Sequence, residues 1–274
     1  MGVTNYRRIY GIDFSGAKDA GKRIWIASGT VEQDGLLIEE CYRAKDLPGS
    51  GKDRDQCLAA LRDFIGRESA CAFGLDFPFG LPQALVKHKK SWEDFVLSFP
   101  GDYFAPEEFR RLCREASGGH ELKRITDIES QTPFSPYNLR LYRQTYHGIR
   151  DVLHPLVRDQ LACVLPMQSA LPGKPWILEI CPASTLKQKG LYSSYKGRTN
   201  AHHAARLFVL ESLEAIGPLS IPAQGVRSAI LEDRGGDALD SVIAAFATFR
   251  ALRHPALLTV ESSDAYALEG YVYV

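Results

Sequence analysis

Two stretches of the chain share one design. Gly11-Ile12-Asp13-Phe14-Ser15 and Gly74-Leu75-Asp76-Phe77-Pro78 each end an apolar run with a glycine, an acid two residues later, an aromatic ring and a turn. Side chains on a strand alternate between faces, so the glycine and the acid share a face and the glycine leaves bare backbone beside the carboxylate. Something approaches closely there. If the two strands are parallel neighbours, their axes lie about 4.8 Å apart and both acids emerge at the carboxyl ends, within reach of a common cation. Open α/β sheets bind their ligands along that rim.

The surrounding pattern predicts the rest of such a sheet. Arg8–Phe14, Arg23–Thr30 and Gly35–Arg43 read as strands joined by turns at Asp19-Ala20-Gly21 and Gln33-Asp34-Gly35, an antiparallel meander. A helix is expected from about Asp53 to Gly66, with Cys57, Leu58, Leu61, Phe64 and Ile65 on one face. The apolar run Ala70–Phe77 then follows a helix, which favours parallel pairing with the first strand. Trp176–Ile180 is another buried strand, while His202–Ile216 and the alanine-rich Asp237–Leu252 are helices; Leu257–Val260 and Tyr271–Val274 are candidate edge strands. Between Leu81 and Pro172 the rhythm changes to mixed-charge helices, at Ser91–Phe99, Pro106–Ala116 and Thr145–Cys163, with no strand pattern. The expected organisation is therefore an α/β core from 1–80 and 173–274, with a mainly helical insertion at 81–172.

Composition restricts the partners. Lys+Arg and Asp+Glu are equal at 33 each, so any grip on nucleic acid must be local rather than spread over the surface. No apolar run approaches the roughly 20 residues of a membrane span, and Met1–Arg8 lacks the apolar centre of a signal peptide, which leads us to expect a cytoplasmic protein with no membrane partner. The six cysteines are widely spaced without a Cys-x-x-Cys pair, so reduced thiols are expected and a zinc knuckle is not.

More acids gather in the same register of the pattern. Glu179 lies near the end of Trp176–Ile180 and stands to add a carboxylate to the row. Asp237 and Asp240, three apart, share one face of the first turn of an otherwise apolar helix. Clustered acids beside a packed core repel one another and lose hydration, and a divalent ion offsets that charge. An all-oxygen donor set suits Mg²⁺ or Mn²⁺ rather than zinc.

Taken together, Gly-Ile-Asp-Phe-Ser-Gly-Ala, Gly-Leu-Asp-Phe-Pro-Phe-Gly-Leu-Pro, Glu-Ile-Cys-Pro-Ala and Asp-Ala-Leu-Asp-Ser-Val-Ile-Ala-Ala resemble the predicted-nuclease family catalogued as domain of unknown function 429. The resemblance extends over nearly the whole chain and includes Thr132–Arg140 in the insertion. It implies a ribonuclease H-like fold: a mixed five-stranded sheet with flanking helices, the first and fourth strands adjacent, and an acidic metal site at their ends. The Asp-x-x-Asp helix is also similar to that of Holliday-junction resolvases. By this resemblance Asp13 is the first-strand acid, Asp76 takes the place of a fourth-strand acid that is usually Glu, and Asp237 with Asp240 is the helix pair.

The reaction this implies is phosphodiester hydrolysis by two metal ions, one activating water and one stabilising the leaving oxygen. Asp13 would bridge both ions, with Asp76 on one and Asp237 or Asp240 on the other; Glu179 is a further catalytic candidate by position. For the substrate, backbone groups around Ser15 together with Lys18 are candidate phosphate contacts. Arg140 and Arg143 are candidate contacts to DNA or RNA, since their segment, 138–150, mixes basic and aromatic side chains. Two rivals stand beside this reading. An actin- or sugar-kinase-like phosphotransferase or ATPase would also end its first strand in an acid and a small-residue turn. An inert binding module of the same fold would keep the acids without turnover.

Overall fold

Apolar, β-branched and aromatic stretches from both halves of the chain pair into one mixed sheet, while the helical stretches cover its two faces. The structure, a computed structural model, describes residues 6–32, 35–254, 258–259 and 264–274. Its strands are β1 (Arg8–Asp13), β2 (Trp25–Glu32), β3 (Gly35–Arg43), β4 (Cys71–Leu75), β5 (Cys163–Leu165), β6 (Trp176–Ile180), β7 (Leu219–Ser220) and β8 (Val272–Tyr273). Their spatial order is β5-β6-β4-β1-β2-β3-β7, with β8 continuing alongside β6 beyond β5. β1, β2 and β3 form the expected antiparallel meander. β4 runs parallel to β1 on its other side, and β6 runs parallel to β4.

The sheet is wider than the five strands expected, with eight among the described residues. Three short pairings account for the difference. Leu219–Ser220 adds to β3, the tail adds β8 within the expected edge strand Tyr271–Val274, and β5 comes from within the mainly helical insertion. The reading of Thr145–Cys163 as one helix is corrected on the same ground. That stretch is a helix at Tyr142–His147, a π-helical turn at Gly148–Leu153 and a helix at His154–Arg158, after which Gln160 takes a positive φ and the chain enters β5. An amphipathic stripe at helical spacing does not report where a helix winds wide or stops. The helix at Gln224–Glu232 was not foreseen either. The Gln33-Asp34 turn, Leu257 and Val260 lie outside the described residues, and Leu258 and Thr259 form a turn rather than the edge strand expected there.

Strand alternation divides the core. Tyr10, Ile12, Phe73 and Leu75 point toward the Arg54–Arg67 helix and the insertion, joining Leu58, Leu61, Phe95, Phe99 and Ile149. Ile9 and Ala27 point the other way, toward Val209, Leu213, Leu239 and Ile243 on the Asn200–Ile216 and Asp237–Leu252 helices. Among the described residues no helix is long and apolar enough to cross a membrane. All six cysteines are free thiols, four of them buried.

Candidate metal centre

The two motif glycines determine where the acids meet. Gly11 and Gly74 are paired across β1 and β4 and face the Asp237–Leu252 helix. A Cβ on Gly11 would fall 2.0 Å from the Ser241 carbonyl oxygen and 2.2 Å from the Ala245 nitrogen; one on Gly74 would fall 2.0 Å from Thr248 Oγ1. The close approach that the sequence demanded is thus made by this helix, backbone against backbone at Gly11 and through the Thr248 hydroxyl at Gly74. With alanine at 238, 244, 245 and 247 the helix carries little that would hold it off the sheet. Its first turn consequently comes to rest over the carboxyl ends of β1 and β4, beside Asp13 and Asp76.

The N-terminus of that helix is capped by another residue. Gly236 adopts φ +78°, a left-handed conformation that a side chain would strain, and the Asp233 carboxylate accepts from the Asp237 and Ala238 amides at 2.8 and 3.2 Å. Asp237, whose local role could have been that cap, is left free for the cluster. Asp13, Asp237 and Asp240 each offer a carboxylate oxygen, and these oxygens lie within 4.8 Å of one another. Oxygen donors to one divalent ion stand at most about twice the 2.0–2.6 Å metal–oxygen distance apart, so the three could bind one ion with little rearrangement. Asp76 lies alongside: its amide donates to the Ile12 carbonyl at 3.0 Å, and its charge and those of Asp13 and Asp240 act on one another.

The electrostatics of the cluster are those of acids lacking sufficient positive charge. Burial, reinforced by Asp240, Asp237 and Asp76, pushes the Asp13 carboxyl well above the usual carboxylate range. Burial and Asp240 push Asp76 up to about 8. Asp237 is raised as well, chiefly by burial. Among the described residues one cation touches the cluster. Lys196 Nζ lies 2.5 Å from Asp240 Oδ2 and 3.7 Å from Asp237 Oδ1, while the Tyr195 hydroxyl donates to Asp240 Oδ1 at 2.6 Å.

Glu179 lies in a different place from its expected one. β6 pairs Glu179 with Leu75, so its side chain leaves the sheet on the face opposite Asp76. There Arg124 donates to both its oxygens, at 2.8 Å to Oε2, and the Phe79 amide donates to Oε2 at 2.9 Å. Arg124 is fully buried, also grips Asp127 and donates to the Glu269 carbonyl; Glu269 in turn accepts from the Gln83 and Ile125 amides. The pair belongs to a wall that ties the insertion to the sheet, and its carboxylate is spoken for by arginine.

A cleft of about 470 Å³ opens between this wall and the acids. Asp76, Asp240 and Lys196 line it together with Arg124, Glu179, Phe134, Arg140 and Tyr192, whereas Asp13 and Asp237 lie outside its lining. Arg140, whose guanidinium lies 5.6 Å from the Phe134 ring centroid, is the one of the four expected substrate contacts that lines it. Arg143 is turned to Glu107 at 2.7 Å, and Arg150 of the same segment to Asp151 at 2.6 Å. Sequence proximity to aromatic residues concealed these acids, one of which is distant in the chain. The Ser15–Lys18 turn is closed as well: a Cβ on Gly16 would fall 2.4 Å from the Arg143 carbonyl oxygen, and Ser15 Oγ accepts from the Ala17 amide. Lys18 is exposed outside the cleft.

Several residues that build or brace the site were not foreseen from the sequence. Arg124-x-x-Asp127 has the spacing of a local ion pair, but nothing in it announces burial. Lys196 sits in the polar loop Ser193-Ser194-Tyr195-Lys196-Gly197, which carries no periodic signal. Arg206 reads as one more polar position of an amphipathic helix, yet it is buried and donates to the carbonyls of Tyr195, Gly197 and Leu231.

Comparison of the chain with protein-family models, with curated proteins and with solved structures finds no match.

Proposed function

We propose that the protein is a metal-dependent nuclease that hydrolyses phosphodiester bonds at the Asp13–Asp237–Asp240 cluster, with Mg²⁺ or Mn²⁺ as cofactor. The observation that carries this reading is the convergence of three carboxylates from two distant segments to within 4.8 Å, one of which, Asp240, lines the cleft. The order β3-β2-β1-β4-β6, with the meander antiparallel and the other pairings parallel, accords with a ribonuclease H-like core and with the motif resemblance. Four acids against one touching ammonium favour a divalent cation, which when bound supplies a Lewis acid for the phosphate and an activated water.

In this reading Asp13, Asp237 and Asp240 hold the ion, and Asp76, protonated more readily than a free carboxyl, stands at the edge of the cleft where a proton is to be taken or given. Arg140 and Lys196 face the phosphate backbone of a nucleic acid that enters the cleft locally. Glu179 acts through Arg124, keeping the wall in place. The free thiols accord with a cytoplasmic location. A phosphate-cradling turn of the kinase type has less support, because backbone from the insertion fills the space beside Gly16.

The test is cleavage of labelled single-stranded and duplex DNA and RNA with Mn²⁺, Mg²⁺ or EDTA. Wild-type protein is expected to cut at least one substrate with Mn²⁺ and none with EDTA, and Asp13→Asn to lose about 10²–10³-fold, in line with removal of a central electrostatic group. Full turnover by Asp13→Asn, or cleavage indifferent to EDTA, refutes the reading.

A further inference from the structure

The cluster already contains a cation. Both carboxylate oxygens of Asp240 are occupied by consecutive residues of one loop, Oδ1 by the Tyr195 hydroxyl and Oδ2 by the Lys196 ammonium. The same ammonium approaches Asp237 at 3.7 Å, so it stands between two of the three carboxylates that could hold an ion. The backbone on each side of Lys196 is fixed. The buried Arg206 guanidinium donates to the Tyr195 carbonyl at 2.8 Å and to the Gly197 carbonyl at 3.1 Å, and the Gly197 amide donates to the Arg234 carbonyl at 2.9 Å. The side chain, by contrast, is half exposed. A lysine whose backbone is anchored and whose side chain is half exposed can swing without moving the loop, since its four-carbon chain has many rotamers and its charge is a compact point.

We propose that Lys196 is the resident counter-cation of this centre, and that a divalent ion reaches Asp240 only by displacing it. The proposal rests on the metal reading above and adds a coupling to it. A phosphate group in the cleft attracts the freed ammonium, so substrate and metal favour each other's binding, and thermodynamic reciprocity requires each to tighten the other by the same factor. The centre then loads fully in the presence of a phosphodiester and sheds metal without one.

Mn²⁺ affinity, measured by calorimetry on the full chain at low ionic strength, tests this without recourse to activity. Lys196→Met is expected to bind Mn²⁺ at least about tenfold more tightly than wild type, a factor typical of losing one charge-assisted contact. Lys196→Arg, which keeps a cation on the same anchored backbone, is expected to stay within about threefold of wild type. A short phosphorothioate oligonucleotide is expected to tighten Mn²⁺ binding to wild type, and to do so much less with Lys196→Met. Equal Mn²⁺ affinity in wild type and Lys196→Met overturns the proposal, as does a Mn²⁺-bound crystal structure with the ammonium still on Asp240 Oδ2. If wild type, Lys196→Met and Asp13→Asn all fail to bind Mn²⁺, the metal reading itself falls, an outcome distinct from the other two.

Discussion

Gly11→Ala isolates the contact on which the centre is built. In the interior of a strand, glycine is ordinarily about 0.5–1 kcal/mol less favourable than alanine, so the exchange should stabilise the protein. Here the added Cβ lies 2.0 Å from the Ser241 carbonyl oxygen and 2.2 Å from the Ala245 nitrogen, both backbone atoms of a helix that cannot rotate them away. Ordinary contact begins at 3.4 Å, so the helix must retreat by about 1.4 Å. Overpacking of this severity costs about 3 kcal/mol. Because Asp237 and Asp240 ride on that helix, the same retreat opens the donor set beyond the reach of one ion. The expected result is a loss of about 3 kcal/mol in urea unfolding with an unchanged m-value, accompanied by at least a tenfold weaker Mn²⁺ affinity by calorimetry. A neutral or stabilising Gly11→Ala that binds Mn²⁺ as wild type does would refute the argument that this close contact sets the acid geometry.

Two further outcomes follow from the electrostatics. Asp13 and Asp76 have raised pKa values in the fold, so the stability of the metal-free protein is fully present below about pH 4, where these acids are protonated in both states, and is lost as pH rises toward the value of about 8 held by folded Asp76. Thermal unfolding from pH 5 to pH 8 should therefore show a loss of at least about 1.4 kcal/mol that saturating Mn²⁺ abolishes and that Asp76→Asn reduces; a pH-independent curve without metal would contradict it. At the cleft wall, Arg124→Met leaves Asp127 and Glu179 buried without their partner and should destabilise the fold by about 3–5 kcal/mol in urea unfolding, while Arg124→Met combined with Glu179→Gln should recover part of that loss.

Much of this arrangement was legible in the sequence because its periodicities are short. Alternation along Arg8–Asp13 and Cys71–Leu75 placed both acids on the glycine face, and a three-residue spacing placed Asp237 and Asp240 together on a helix. What the spacing could not reveal was depended on register and on partners distant in the chain. Glu179 looked like a third acid in the row, but β6 pairs it with Leu75 and so turns it to the opposite face, where Arg124 was waiting from a segment with no strand rhythm. Arg143 looked free until Glu107 was brought alongside it. The glycines were read correctly as sites of close approach, and the partner proved to be a helix of the protein itself.

The cleft wall also has an order of assembly. Arg124 and Ile125 reach Glu269, and the Thr126 hydroxyl accepts from the Val272 amide, contacts spanning 144 to 146 residues of chain. During synthesis the helices of the insertion leave the ribosome well before their partners near the tail exist, and closing so long a loop is slow because its entropy must be lost before the contacts form. On a nascent chain the central strands and their acids can pair while the opposite side of the groove is still open. The wall of the cleft therefore closes later than the pairing of the strands that carry Asp13 and Asp76.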